Sequence, residues 1–246
     1  MSSQLRSSLA LQGVQLLDGL PSARLEALAQ ACRWRALPAG RLLVQRAERE
    51  SDVHFVISGE LRVTIFALNG RQLTFREVGA GGQFGELAAI DGEPRSADVL
   101  TLRPSVVASL RAADFLALMR EEPVVNDRVL RVLCHLVREV SERVIALSTL
   151  GVQNRVHAEL LRLAREAGCQ DNKARLDPAP THSDMASRIS TTREQVTREL
   201  NALQARGLLA KEGRALLLHD VDQLARMVSE LHGAPGSFTP SQPAAS

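Results

Sequence analysis

The chain reads as an α+β protein in three successive parts: an N-terminal antiparallel β-roll or jelly roll, a long dimerisation helix, and a C-terminal winged helix-turn-helix. Three observations predict this. Short runs between Arg41 and Leu110 are punctuated by Gly40, Gly59, Gly70, Gly79, Gly82, Gly85 and Gly92. Apolar residues then step by threes and fours from Leu130 to Leu147. Finally, two capping-box strings beginning at Thr181 and Thr192 precede a hairpin-like stretch from Leu208 to Leu218. At 246 residues, with 45% hydrophobic and 24% charged residues, the chain is long enough for one large domain or two modest ones and has an ordinary soluble composition. The expected divisions are 15–120 for the roll, 121–151 for the helix, 152–232 for the winged helix-turn-helix and 233–246 for a tail.

Residues 1 to about 20 read as a loose arm leading into a short helix from Ala23 to Ala31. Val53-His54-Phe55-Val56-Ile57 reads as a buried strand. Leu61, Val63 and Ile65 alternate with Arg62, Thr64 and Phe66, so the first three are expected on the inward face of a half-buried strand. Asn69-Gly70 is a hairpin signal because both residues tolerate positive φ. A roll is the natural closure for strands of this length and spacing.

The period then changes. Leu130, Leu133, Val137, Val140, Val144, Leu147 and Gly151 fall on an a/d heptad seam. A seam so narrow suits a parallel dimer better than a buried helix, and Gly151 marks where the helix stops or hinges. Val152 to Arg165 continues as helix, and Ala167 to Pro180 reads as a connection with a short strand around Ala174-Arg175-Leu176. Gly233 to Ser246, rich in Pro, Ser, Ala and Gly, reads as disordered.

Thr181 lies three residues before Asp184 and Thr192 three before Gln195, so each opens a short helix. Met185, Ala186 and Ile189 supply the inward contacts of the first, and Val196, Leu200 and Leu203 those of the second. Glu194, Thr197, Arg198 and Asn201 then face outward, with Arg193 flanking them in the first turn. Arginine can bond guanine O6 and N7 bidentately and glutamate can accept from cytosine N4, which makes this face a candidate reader of double-stranded DNA. Leu208 to Leu218 follows as the wing.

Several classes are disfavoured. Net charge is only +2, so affinity for nucleic acid must come from local placement. Cys32, Cys134 and Cys169 show no C-x-x-C spacing, which argues against a disulfide framework, a zinc site or an iron–sulfur cluster and suits a reducing cytoplasm. No apolar run reaches membrane-spanning length, and the first six residues do not open a signal peptide. His54, His135, His157, His182, His219 and His232 are scattered, and neither a Walker loop nor a G-x-S-x-G elbow is present. The chain is therefore read as a non-enzyme with no tightly bound cofactor, no metal and no membrane partner.

The most informative string is Gly85-Glu86-Leu87-Ala88 followed by Arg95-Ser96-Ala97. Glycine admits a close backbone approach, a guanidinium can hold a phosphate in two places, and Glu86 can accept from a hydroxyl. The turn-rich segment Ala89 to Pro94 can fold Arg95 and Ser96 back toward the amides. The whole string resembles the phosphate-binding cassette of the cyclic AMP receptor protein/FNR superfamily. Thr192-Arg193-Glu194-Gln195-Val196-Thr197-Arg198 is likewise similar to that superfamily's recognition helix.

The resemblance spans about residues 15 to 230 and implies a cyclic-nucleotide-responsive homodimer that binds a pseudopalindromic DNA site and works with RNA polymerase. It implies that Glu86 anchors the ribose hydroxyl while Arg95, Ser96 and the amides of Gly85, Leu87, Ala88 and Ala97 surround the phosphate. Arg193, Glu194 and Arg198 would read a GTGA-type half-site, with Thr192 and Thr197 beside them. Two positions depart from the pattern. Val140 and Ser141 stand where the family's purine-contacting threonine and serine belong, which leaves cyclic AMP and cyclic GMP both open. Leu136 stands where an arginine that pairs with the cassette glutamate is expected. A constitutive regulator, or one sensing a haem ligand or another small molecule through a vestigial cassette, is the alternative.

Overall fold

The computed structural model describes residues 7–66 and 72–229. The Asn69-Gly70 hairpin signal and the 233–246 tail lie outside the described residues. The chain divides into two compact units, residues 1–139 and 140–246.

The first unit opens on α1 (Ser8–Gln12), a single 3₁₀ turn (Gln15–Leu17) and α2 (Ser22–Ala31). Residues 8–17 are packed structure where a loose arm was expected. Leu11, Val14, Leu16 and Leu17 are buried among Phe55, Leu110, Phe115 and Leu118. Such side chains each contribute about 1.5–3 kcal/mol when removed from water, enough to order a short arm.

Strands β1 (Arg33–Leu37), β2 (Leu42–Val44), β3 (Val53–Ser58), β4 (Glu60–Phe66), β5 (Gln72–Gly79) and β6 (Gln83–Phe84) precede α3 (Glu86–Asp91). Strands β7 (Asp98–Thr101) and β8 (Ser105–Leu110) follow it, then α4 (Ala112–Glu121) and the long α5 (Pro123–Thr149). The strands form two antiparallel four-stranded sheets, ordered β1-β8-β3-β6 and β2-β7-β4-β5, with Val56, Leu61, Phe84, Val99 and Val107 clustered as core. This is the expected roll.

The predicted alternation of β4 fails halfway along the strand. Leu61 and Thr64 are fully buried, whereas Val63 and Ile65 are only half-buried. The register against β5 shifts at this point, Val63 facing Arg76 and Thr64 facing Thr74, so the extra residue is Phe75 of β5, while β4 pairs with β7 without interruption from Leu61 to Thr64. Thr64 is accommodated because its hydroxyl donates to the Leu73 carbonyl at 2.9 Å. Arg62, also buried, pairs with Glu77 at 2.6 Å.

In the second unit, α6 (Val152–Ala167) starts at Gly151, the N-cap, in ordinary extended backbone at φ −60° and ψ 161°. Strands β9 (Cys169–Gln170) and β10 (Lys173–Leu176) form a hairpin where one strand was expected. Asp171 and Asn172 close it at φ 47° and 60°, the left-handed pair a two-residue turn demands. Then come α7 (His182–Arg188), α8 (Arg193–Ala205), β11 (Leu209–Glu212), β12 (Ala215–Leu218) and α9 (Val221–Ser229). The sheet order is β11-β12-β10-β9, and Val156, Leu160, Met185, Val196, Leu203 and Leu218 share one core. Both predicted caps are present: Thr181 Oγ1 accepts from Asp184 N at 3.0 Å and Thr192 Oγ1 from Gln195 N at 3.3 Å, each worth about 1 kcal/mol.

Candidate functional site

The cassette begins where β6 meets α3. Gly85 is the helix N-cap at φ 92°, and a Cβ there would fall 2.6 Å from Arg95 Nη1 and 2.8 Å from the Asp52 carbonyl oxygen. Only glycine allows this approach. Gly92 at φ 74° ends the helix, and the chain returns so that Arg95 N donates to Glu48 O at 2.8 Å. Ala88 and Ala97 are buried, Leu87 and Ser96 exposed. The first-turn amides of α3 have no acceptor within the helix, as at any helix start.

Glu86 is 3% exposed. Its Oε1 accepts from Arg76 Nη2 at 3.0 Å, while Oε2 is buried with no hydrogen-bond partner among the described residues. A buried acceptor without a donor costs on the order of 1–3 kcal/mol, so a ligand hydroxyl delivered here would relieve a standing penalty. The residues present thus fit a hydroxyl-bearing ligand at this point. Arg76, on β5, was not singled out in the sequence. An arginine ten residues before a glutamate carries no signal until the strand register brings the two together.

Arg95, 4% exposed, lies under Gly85. Its Nη1 donates to Gly85 O at 3.1 Å and its Nη2 to Asp52 O at 2.6 Å, while Nε is buried without a partner among the described residues. Burial weakens its hold on the proton, an effect opposed by Glu50, Asp52, Glu86 and Glu48. Arg95 Nη2 also lies 3.2 Å from His54 Nε2. Guanidinium has no acceptor, so Nε2 must be the unprotonated nitrogen and Nδ1–H donates to Ser109 Oγ at 2.8 Å. Burial first, then Arg95, Arg35 and Arg33, lower the His54 pKa to about 3, consistent with a neutral ring. The ring stacks on Phe84 with centroids 4.8 Å apart. His54 was read only as part of a strand; its place behind Arg95 has no local sequence signature.

Val140 and Ser141 fall in the C-terminal unit, both exposed on α5, while the cassette falls in the N-terminal one. Along α5 the seam residues Leu130, Val137, Val140, Val144 and Leu147 are between 41% and 65% exposed, an apolar stripe facing outward. Two residues beyond Ser141, Arg143 Nη2 donates to Arg188 O at 2.7 Å, at the end of α7.

On α8, Thr192, Arg193, Glu194 and Arg198 are exposed on the face opposite buried Val196, Leu200 and Leu203. Thr197 is half-buried. Its hydroxyl donates to Arg193 O at 2.9 Å and, its hydrogen being used, accepts from His182 Nδ1 at 2.7 Å. The Glu194 carboxyl is held below its usual range by its own backbone N–H, then by the Thr192 side chain and Arg193, so it stays an acceptor. Gln195 Oε1 accepts from Thr191 Oγ1. The face combines two guanidinium donors with one carboxylate acceptor at the start of a helix, the donor and acceptor set that base edges require.

Among the described residues no cluster of His, Cys, Asp and Glu could hold a metal ion, and no helix is long and apolar enough to cross a membrane. Residues 34–122 match the family described as Cyclic nucleotide-binding domain, and residues 154–227 match the Crp-like helix-turn-helix domain. A CRP-like cAMP-activated global transcriptional regulator of Mycobacterium tuberculosis is 26% identical over 212 residues, covering 86% of this chain and 95% of the relative. The cyclic AMP receptor protein of Thermus thermophilus is 28% identical over 201 residues, 81% of this chain and 89% of the relative. The solved structure of the c-di-GMP responsive global regulator CLP of Xanthomonas campestris superposes with a TM-score of 0.70 at 20% identity, covering 80% of this chain and 99% of that one. That likeness speaks to the fold.

Proposed function

Because the chain belongs to the cyclic AMP receptor protein/FNR family of transcription regulators, we propose that it is a homodimer whose roll binds cyclic AMP or cyclic GMP and whose recognition helices then bind a pseudopalindromic GTGA-type DNA site. Residues 15–120 serve as the effector module, 121–151 as the dimer helix and 152–232 as the DNA module. The observation that carries this reading is Glu86 Oε2, a buried acceptor without a partner among the described residues, in the same cassette as Gly85 and Arg95.

Glu86 takes the ribose hydroxyl, and Arg95, Ser96 and the amides of Gly85 to Ala88 take the cyclic phosphate, with Ala97 buried beneath. The family resemblance assigns purine contact to the positions held by Val140 and Ser141. Arg193, Glu194 and Arg198 read base edges, with Thr192 and Thr197 holding the helix start against the backbone. The nucleotide drives the switch only by binding one dimer arrangement better than the other. RNA polymerase is the partner such a regulator serves.

One observation favours a second reading. Arg95 already donates to Gly85 O and Asp52 O and meets His54, so its guanidinium is held largely by protein. A roll in which those contacts persist would leave a regulator that is constitutive or answers to a haem ligand or another small molecule. Titrating the purified protein with cyclic AMP and with cyclic GMP, each with and without a GTGA-palindrome duplex, separates the two. Nucleotide binding that tightens the DNA complex supports the first reading; equal DNA affinity with and without nucleotide supports the second.

A further inference from the structure

We propose that Arg76 is a positioning residue of the ligand site: it holds Glu86 by one carboxylate oxygen so that the other is presented to the ligand's 2′-hydroxyl. The inference rests on the cyclic-nucleotide reading above and goes beyond it in assigning the source of ribose recognition. A carboxylate as buried as Glu86 is costly to keep charged unless a cation and hydrogen bonds compensate it. Arg76 Nη2 is that cation, 3.0 Å from Oε1, and the same nitrogen lies 3.4 Å from the Gln83 carbonyl oxygen. The guanidinium is thus tied both to the acceptor and to the strand leading into the cassette.

The contact is to one oxygen. A bidentate fork would consume both oxygens and leave no acceptor for a ligand. Here Oε2 keeps its lone pairs, buried, with no partner among the described residues. A neutral, single-hydrogen donor is what such a position takes, and a 3′,5′-cyclic nucleotide retains one ribose hydroxyl, the 2′. Arg76 sits opposite Val63 in the β4–β5 ladder, so its backbone is set by strand pairing rather than by a loop. Both members of the pair belong to the N-terminal unit. Discrimination of ribose from deoxyribose therefore needs no residue of the C-terminal unit or of a second protomer.

The test is calorimetric titration of the full-length protein with cyclic AMP and cyclic GMP and with the 2′-deoxy form of each. The wild type is expected to prefer the ribose forms by about 10- to 100-fold, the scale of leaving a buried acceptor unmet. Arg76→Met should bring that ratio to within about threefold of unity, and Arg76→Lys should restore part of it. Because Arg76→Met leaves a buried carboxylate unpaired and can fail to fold, Glu86→Gln and the double variant Arg76→Met/Glu86→Gln are measured beside it. Equal ratios in these two support an action of Arg76 through Glu86 alone. A lower ratio in the double variant overturns the positioning role, as does a folded Arg76→Met protein with the wild-type ratio. A wild type that binds the nucleotides without preferring ribose overturns this inference and leaves the cyclic-nucleotide reading standing. A wild type that binds none of the four overturns both.

Discussion

At Gly85 two demands coincide on one residue. The backbone is left-handed, and the space where a side chain would start is occupied by Arg95 and by the Asp52 carbonyl. Gly85→Ala should therefore cost more than the roughly 1–2 kcal/mol of left-handed strain alone, because the carbonyl cannot step aside as a flexible side chain can. Trp34 is the single tryptophan and sits in β1 of the same unit, so urea unfolding followed by its emission reads this directly. An unshifted midpoint would contradict the packing described. His54 gives a pH-dependent counterpart. Its pKa falls from 6.5 to about 3 on folding, chiefly through burial. Between those values the unfolded chain binds more protons than the folded one, so stability rises with pH. This contribution is complete above pH 6.5 and is lost as pH falls toward 3, by at most about 1.4 kcal/mol per pH unit. His54→Gln, whose amide can still accept from Arg95 and donate to Ser109, should show a shallower decline below pH 6.5. Parallel wild-type and variant curves would count against a neutral buried ring.

Among the elements, α5 carries the strongest expectation. Its stripe of Leu130, Val137, Val140, Val144 and Leu147 lies exposed, an arrangement that costs hydration free energy in a lone chain and is covered in a parallel dimer. Val137→Glu combined with Val144→Glu places charges at two seam positions. Sedimentation should find the wild type dimeric at micromolar concentration and this variant monomeric. The helix α8 is held at its start by Thr192 and against α7 through Thr197 and His182, so its first turn is rigid before any DNA arrives. Rigidity there matters because contacts to base edges depend on tenths of an ångström.

On the scale of the whole molecule, the proposed dimer would have to set its two recognition helices in successive major grooves, about 34–36 Å apart along the duplex. Arg193→Ala should weaken binding to the cognate half-site by about 1–3 kcal/mol and flatten base preference at one position. Uniform loss over all sequences in a shift assay would mark Arg193 as a phosphate contact instead.

The order of the parts could be read from residues alone because the signals are local. A threonine three residues before an acid or amide marks a cap, a glycine marks a positive-φ corner, and a change of period from two to three-and-a-half marks a change of element. The strings around Gly85 and around Arg193 each lie within a dozen residues and stand out as candidates for the same reason. What required the tertiary structure was every partnership across strands. Arg76 meets Glu86 and His54 meets Arg95 over separations of 10 and 41 residues. One extra residue in β5, Phe75, shifts the β4–β5 register, and the arm at 8–17 is ordered by the core it enters. Register and burial are cooperative properties of the packed chain, so no short window of sequence contains them.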